Sequence, residues 1–132
     1  VFCKKNNLKF GDGINSLVKE NLIKRLIPYN LDPATYISKY EIRCSPLVDV
    51  LKKNNVNIDN YKDIDLLQID AEGYDDEVIY NSNIELFQPK YINFEYKNLS
   101  KTKLDNLLTF LNANSYKCIL YKHNDGLATR TI

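Results

Sequence analysis

The chain has 132 residues, with 18 basic and 17 acidic side chains and a net charge of +1. That length suits one domain with a real core, and 44% hydrophobic with 27% charged residues is the composition of a soluble globular protein. The near-balance of charge argues against nucleic-acid and anionic-membrane partners, which select a surplus of Lys and Arg.

Residues 1–3 and 8–10 are short extended candidates, and Gly11, Asp12 and Gly13 signal a turn. From Ser16 onward, Leu17, Val18, Leu22, Ile23, Leu26 and Ile27 fall on one helical face, and Pro28 ends that helix. Residues 28–39 carry two prolines and no clear period, so they connect. In residues 39–45, Tyr40, Ile42 and Cys44 alternate with Glu41 and Arg43, the pattern of a strand with one apolar face. Ser45 and Pro46 then resemble an N-cap and a first-turn proline. The helix they open would bury Leu47, Val48, Val50 and Leu51 and carry Asp49 in its first turn. Residues 53–63 are polar and Asn-rich, hence loop.

Residues 65–69 are apolar on both faces, which places them inside a sheet covered on both sides. Residues 75–80 follow as a short helix with Asp75, Asp76 and Glu77 at its positive end. After a turn through Pro89, residues 91–97 read as another strand. Ser100 caps the clearest helix, with Leu104, Leu107, Leu108 and Leu111 at i, i+3, i+4 and i+7. Residues 116–122 are the next strand and 127–132 a candidate last one. This alternation predicts a single α/β layered domain over residues 1–132 with a mainly parallel sheet: residues 1–38 form an irregular region and 39–132 the α/β core.

Cys3, Cys44 and Cys118 match no zinc or redox spacing, and their odd number argues against a disulfide framework, so a reduced, cytoplasmic setting is expected. No apolar run approaches the roughly 18 residues of a transmembrane helix, and no signal peptide is visible. The chain starts at Val1 and contains no Met, which suggests a fragment of something longer.

In open parallel sheets, ligands bind outside the carboxyl ends of the strands. Asp70 and Glu72 end one predicted strand, Glu95 and Tyr96 the next, and Gly73 lets the backbone turn sharply between strand and helix. If the strands are neighbours, three carboxylates and a phenol converge on one rim. Such a cluster can host a general base, hold a cation or accept hydrogen bonds from hydroxyls and amines. Acids at strand ends are also commonly just solvated, and spacing alone leaves site and surface equally open. His123, Asp125 and Gly126 read as turn and surface, Ser16 as a cap, and the ten tyrosines as packing residues. The chain has no G-x-G-x-x-G, no P-loop and no Ser-His-Asp order.

Three stretches carry a resemblance: LLQIDAEGYDDEVI at 66–79, PKYINFEYKNLS at 89–100, and LLTFLNANSYKCILYKHNDGLAT at 107–129. Together they resemble the FkbM-type S-adenosylmethionine-dependent methyltransferases, with a strand ending in IDxEG, an aromatic and an acid after it, and a later strand ending in Glu. CSPLVDVL at 44–51 and GDGINSL at 11–17 are similar to stretches upstream of that motif. Gln68 stands where many members carry Lys, and Ser115 where Gly is usual.

The resemblance implies a partial Rossmann-like class I methyltransferase fold, lacking the N-terminal glycine-rich strand-loop half, with an exposed sheet edge where earlier strands would pair. It implies S-adenosyl-L-methionine as cofactor and a small-molecule or saccharide hydroxyl as acceptor, and it assigns no residue to a metal. Asp70 and Ala71 would lie beside the cofactor. Asp70 and Glu72 would position the acceptor or take its proton, with Glu95 the next candidate. As an isolated fragment the chain is expected to bind cofactor weakly or not at all. Two other readings stand beside this one. One is a non-catalytic α/β interaction domain whose acidic rim is ordinary surface. The other is a cation-binding rim built on Asp70, Glu72 and Glu95.

Overall fold

A computed structural model describes residues 2–4, 15–56 and 64–131, with the backbone alone for 2–4. The expected extended segment at 8–10, the turn at 11–13 and most of the Asn-rich loop lie outside these residues.

Strands β1 (Phe2–Lys4), β2 (Asn15–Ser16) and β3 (Ile37–Lys39) form a small antiparallel sheet with β1 in the middle. Helix α1 (Lys19–Leu26) buries Leu22 and Leu26, as its apolar spacing predicts, and passes into a 3-10 turn at Ile27–Tyr29 that contains Pro28. Asp32 caps the short helix α2 (Pro33–Tyr36), accepting hydrogen bonds from the backbone of Ala34 (3.1 Å) and Thr35 (3.2 Å).

The strand expected at 39–45 is not there. Pairing stops at Lys39, and Tyr40 and Ile42 stand 57% and 55% exposed, with no strand of the described residues hydrogen-bonded to them. Helix α3 (Leu47–Lys53) forms where expected, but Pro46 holds the cap position and none of the predicted stripe is fully buried.

The larger sheet has the order β4 (Leu66–Gln68), β5 (Tyr91–Glu95), β7 (Asp125–Arg130), β6 (Tyr116–Leu120). Helices α4 (Asp75–Tyr80), α5 (Ile84–Phe87) and α6 (Lys101–Ala113) connect its strands. Ser100 caps α6 as predicted, its hydroxyl accepting from the Lys103 backbone at 3.3 Å.

This sheet is mixed, not mainly parallel. β4 and β5 pair in parallel, but β7 is antiparallel to both of its neighbours. The cause is the tight turn after β6: Asn124 takes a left-handed conformation (φ 71°), and the hairpin it closes folds β7 back between β6 and β5.

Side chains alternate across the sheet. Ile92, Phe94, Tyr116 and Ala128 point to one face, where Ile79 of α4, Ile84 of α5 and Leu107 and Leu111 of α6 cover them. The Phe94 ring lies on Gly126 of the adjacent strand, so close that a Cβ there would meet the ring at 2.4 Å. Among the described residues the opposite face is open: Leu66 is 52% exposed beside the exposed Tyr91, and Ile119 is exposed on β6 at the other edge. The expectation that residues 65–69 are covered on both faces is therefore corrected. α4, α5 and α6 all pack on one side, and β4 lies at the sheet edge with β5 its only partner among the described residues. Among the described residues nothing pairs with the outer side of β4, the place where the resemblance anticipates an exposed edge.

Candidate functional site

β4 and β5 run in the same direction, so their carboxyl ends finish at the same rim. The backbone N–H of Ile69 still donates to Asn93 (2.9 Å); beyond it the chain leaves the sheet. Glu72 (φ 49°) and Gly73 (φ 96°) are both left-handed, and this double reversal turns the strand into α4. Glycine is required at 73 for a second reason. A Cβ would sit 2.2 Å from Asn21 Nδ2 and 2.9 Å from Asn98 Cβ.

The turn is pinned from the N-terminal region. The Glu72 carbonyl accepts from the Ser16 hydroxyl (2.8 Å) and from Asn21 Nδ2 (2.9 Å). Ser16 also accepts from the Val18 backbone at 3.0 Å, so it closes a local turn and anchors the rim at once. The Glu72 carboxylate forms an ion pair with Arg25 of α1 at 2.7 Å. Asn98 Nδ2 bridges Glu72 Oε2 (3.4 Å) and Glu95 Oε2 (3.0 Å).

Asp75, the first residue of α4, is wholly buried. Its carboxylate accepts the backbone N–H of Glu95 (3.0 Å) and of Gly73 (3.3 Å). Burial pushes its carboxyl above the usual range, against the pull of the Glu95, Gly73 and Ala71 backbone N–H groups. Glu95 is pushed up as well, first by burial and then by Glu72 and Asp75, while Lys97 acts the other way. Behind the rim, Asp76 is buried and paired with Lys103 of α6 at 2.8 Å.

Glu72 and Glu95 are thus brought together, with Asp70 near enough to both Asp75 and Glu95 to raise their proton affinity. Asp70 itself is exposed and bonds to no other side chain among the described residues. Ala71 is half-buried, and its backbone serves the turn: the carbonyl accepts from Tyr74 at 3.3 Å and the N–H faces Asp75. Tyr96 does not join the rim. Its hydroxyl donates to the Tyr121 carbonyl (2.6 Å) and fastens β5 to the β6–β7 hairpin. His123 is exposed in that hairpin's turn, and Asp125 opens β7. The cation-rim reading is corrected: among the described residues no three His, Cys, Asp or Glu side chains group so as to hold a metal ion, and Arg25 already occupies Glu72.

Sequence reasoning missed Arg25, Asn21 and Asn98, and took Asp75 for a helix-start acid. Only Asn98 had a local signal, a polar amide three residues after the acid that ends β5.

The fold and rim define a class: a mixed α/β layered protein with carboxylates at the carboxyl ends of its parallel strand pair. The sequence profile of the Methyltransferase FkbM domain matches residues 16–118, well over half of the chain. The chain therefore belongs to the FkbM methyltransferase domain family. No curated protein and no solved structure matches it. Among the described residues no helix is long and apolar enough to cross a membrane.

Proposed function

We propose that this protein takes part in S-adenosylmethionine-dependent methyl transfer to a hydroxyl of a small molecule or sugar. The observation that carries the reading is the carboxylate rim at the ends of β4 and β5, inside the stretch that matches the methyltransferase family. The donor set fits the cofactor's charge. Asp70, Glu72 and Glu95 line the rim, with Asp75 buried beneath them, against Arg25 and Lys97, and a sulfonium with an ammonium group complements such an acidic surface. When bound, S-adenosylmethionine supplies an electrophilic methyl group.

The chain's own residues divide the remaining work. Asp70, exposed and uncommitted among the described side chains, would help hold the cofactor, and Ala71 would offer it only a small apolar side chain because its backbone is spent in the turn. Glu72 is held by Arg25 and shapes the wall. Glu95 is half-buried, with its proton affinity raised, and suits the task of orienting an acceptor hydroxyl and receiving its proton.

The test is methyl transfer from isotopically labelled S-adenosylmethionine to a panel of sugars and small hydroxyl compounds, with cofactor titration by calorimetry. Transfer that falls by about 10²–10⁴-fold in Glu95→Gln supports the reading. The protein is assayed together with whatever its reading frame encodes upstream of Val1, since the 132 residues alone are expected to bind cofactor weakly; if that protein neither binds cofactor nor methylates any hydroxyl, the reading fails and the interaction-domain alternative is favoured.

A further inference from the structure

Two carboxylates from different segments meet at the rim, and one neutral side chain touches both. Asn98, in the turn after β5, aims Nδ2 at Glu95 Oε2 (3.0 Å) and at Glu72 Oε2 (3.4 Å). Ionised carboxylates only accept, so the NH₂ end of the amide, not its carbonyl, has to face them. Among the described residues no other side chain hydrogen-bonds both. The stem of Asn98 is fixed too, because its Cβ packs against the space at Gly73 that a side chain would fill. Glu72 Oε2 is shared with Arg25, and the Glu95 backbone is held by Asp75. The remaining oxygen, Glu95 Oε1, accepts no hydrogen bond from the described residues.

We propose that Asn98 is a positioning residue: its amide locks Glu95 Oε2 beside Glu72 and leaves Glu95 Oε1, which takes no donor from the described residues, turned to the acceptor. This rests on the reading of Glu95 as the acceptor-side carboxylate, but the bridge itself is testable without any turnover. The groups that face Glu95 are Asp70 and Glu72 from the turn after β4, Asp75 from α4 and Lys97 from its own turn, with Arg25 of α1 on the far side of Glu72. A donor on Oε2 favours the ionised form of Glu95. Removing it raises the titration midpoint.

The experiment is a carbon-13 NMR titration of the Glu95 side-chain carboxyl in the wild-type protein, Asn98→Ala, Asn98→Asp and Asn98→Gln. The expected result is a rise in Asn98→Ala and a larger rise in Asn98→Asp, which keeps the shape but adds one more negative charge to the cluster. Asn98→Gln restores a donor and moves the midpoint back toward wild type. Unchanged midpoints in Asn98→Ala and Asn98→Asp overturn the proposal, and since Asn98→Asp is isosteric, a misfolded Asn98→Ala does not remove the test. Where methyl transfer is measurable, Asn98→Ala should lower kcat about tenfold and carry the acid limb of the pH–rate profile along with the NMR midpoint. A wild-type protein without methyl transfer counts against the functional reading, while the NMR result still decides the role of Asn98.

Discussion

The carboxylate of Asp75 accepts the backbone N–H of Glu95 at 3.0 Å, tying the first residue of α4 to the last residue of β5. With Gly73 on its other oxygen, this buried group sets the distance between the two halves of the rim. Asp75→Ala would strand these donors away from water, and each buried, unsatisfied group costs roughly 1–3 kcal/mol. Urea unfolding should show that loss with an unchanged m-value.

The raised proton affinities of Asp75 and Glu95 have a defined sign. A carboxyl that holds its proton more tightly when folded contributes stability that is fully present below its unfolded pKa, ordinarily 3.8 for Asp75 and 4.5 for Glu95. That contribution is lost as pH rises through the folded values. Glu95→Gln cannot ionise, so its unfolding free energy should improve relative to wild type as pH climbs above 4.5. Parallel stability–pH curves for the two proteins would contradict this.

Gly73→Ala puts a methyl group into the space held by Asn21 and forces φ 96° on a residue that avoids it. A backbone strain of about 1–3 kcal/mol is expected. Part of the total cost is steric and runs through Asn21. In a double-mutant cycle with Asn21→Ala, the second substitution should relieve some of the first; strict additivity would show that the two sites are not coupled.

Arg25 and Glu72 are close, but their side chains remain 38% and 27% exposed. Solvent screening limits such a pair to about 0–1 kcal/mol. Arg25→Ala should therefore lower stability only slightly, with the difference vanishing near 1 M salt, where the Debye length is about 3 Å. A large, salt-insensitive loss would mean that the aliphatic stem of Arg25, not its charge, holds α1 to the rim.

The helices over 75–80 and 101–113 were legible because their signals are local: an acidic first turn before Val78 and Ile79, and Ser100 ahead of four spaced leucines. The rim acids were legible for the same reason, since a strand that stops at Asp70 and Glu72 announces its own end. The strand at 39–45 failed because alternation describes a side chain's preference, whereas a strand also needs a backbone partner, and among the described residues the pairing with β1 ends at Lys39. The mainly parallel sheet failed because β7 takes its place between β5 and β6 through pairings distant in sequence, such as Phe94 with Gly126. Arg25 and Asn21 were invisible as rim residues because they approach Glu72 from 47 and 51 positions away.

The position of β7 also constrains the order of assembly. Synthesis delivers β5 and β6 first, yet in the finished sheet they do not touch, because the strand that lies between them is made after both. A nascent chain that has reached only Leu120 carries Ile92 and Phe94 without the Ala128 and Gly126 they pair with, and two strand edges wait open. Only once residues as far as Arg130 have been made can both strands be paired along their length, Tyr91 to Glu95 with Thr129 to Asp125 and Tyr116 to Leu120 with Arg130 to Gly126.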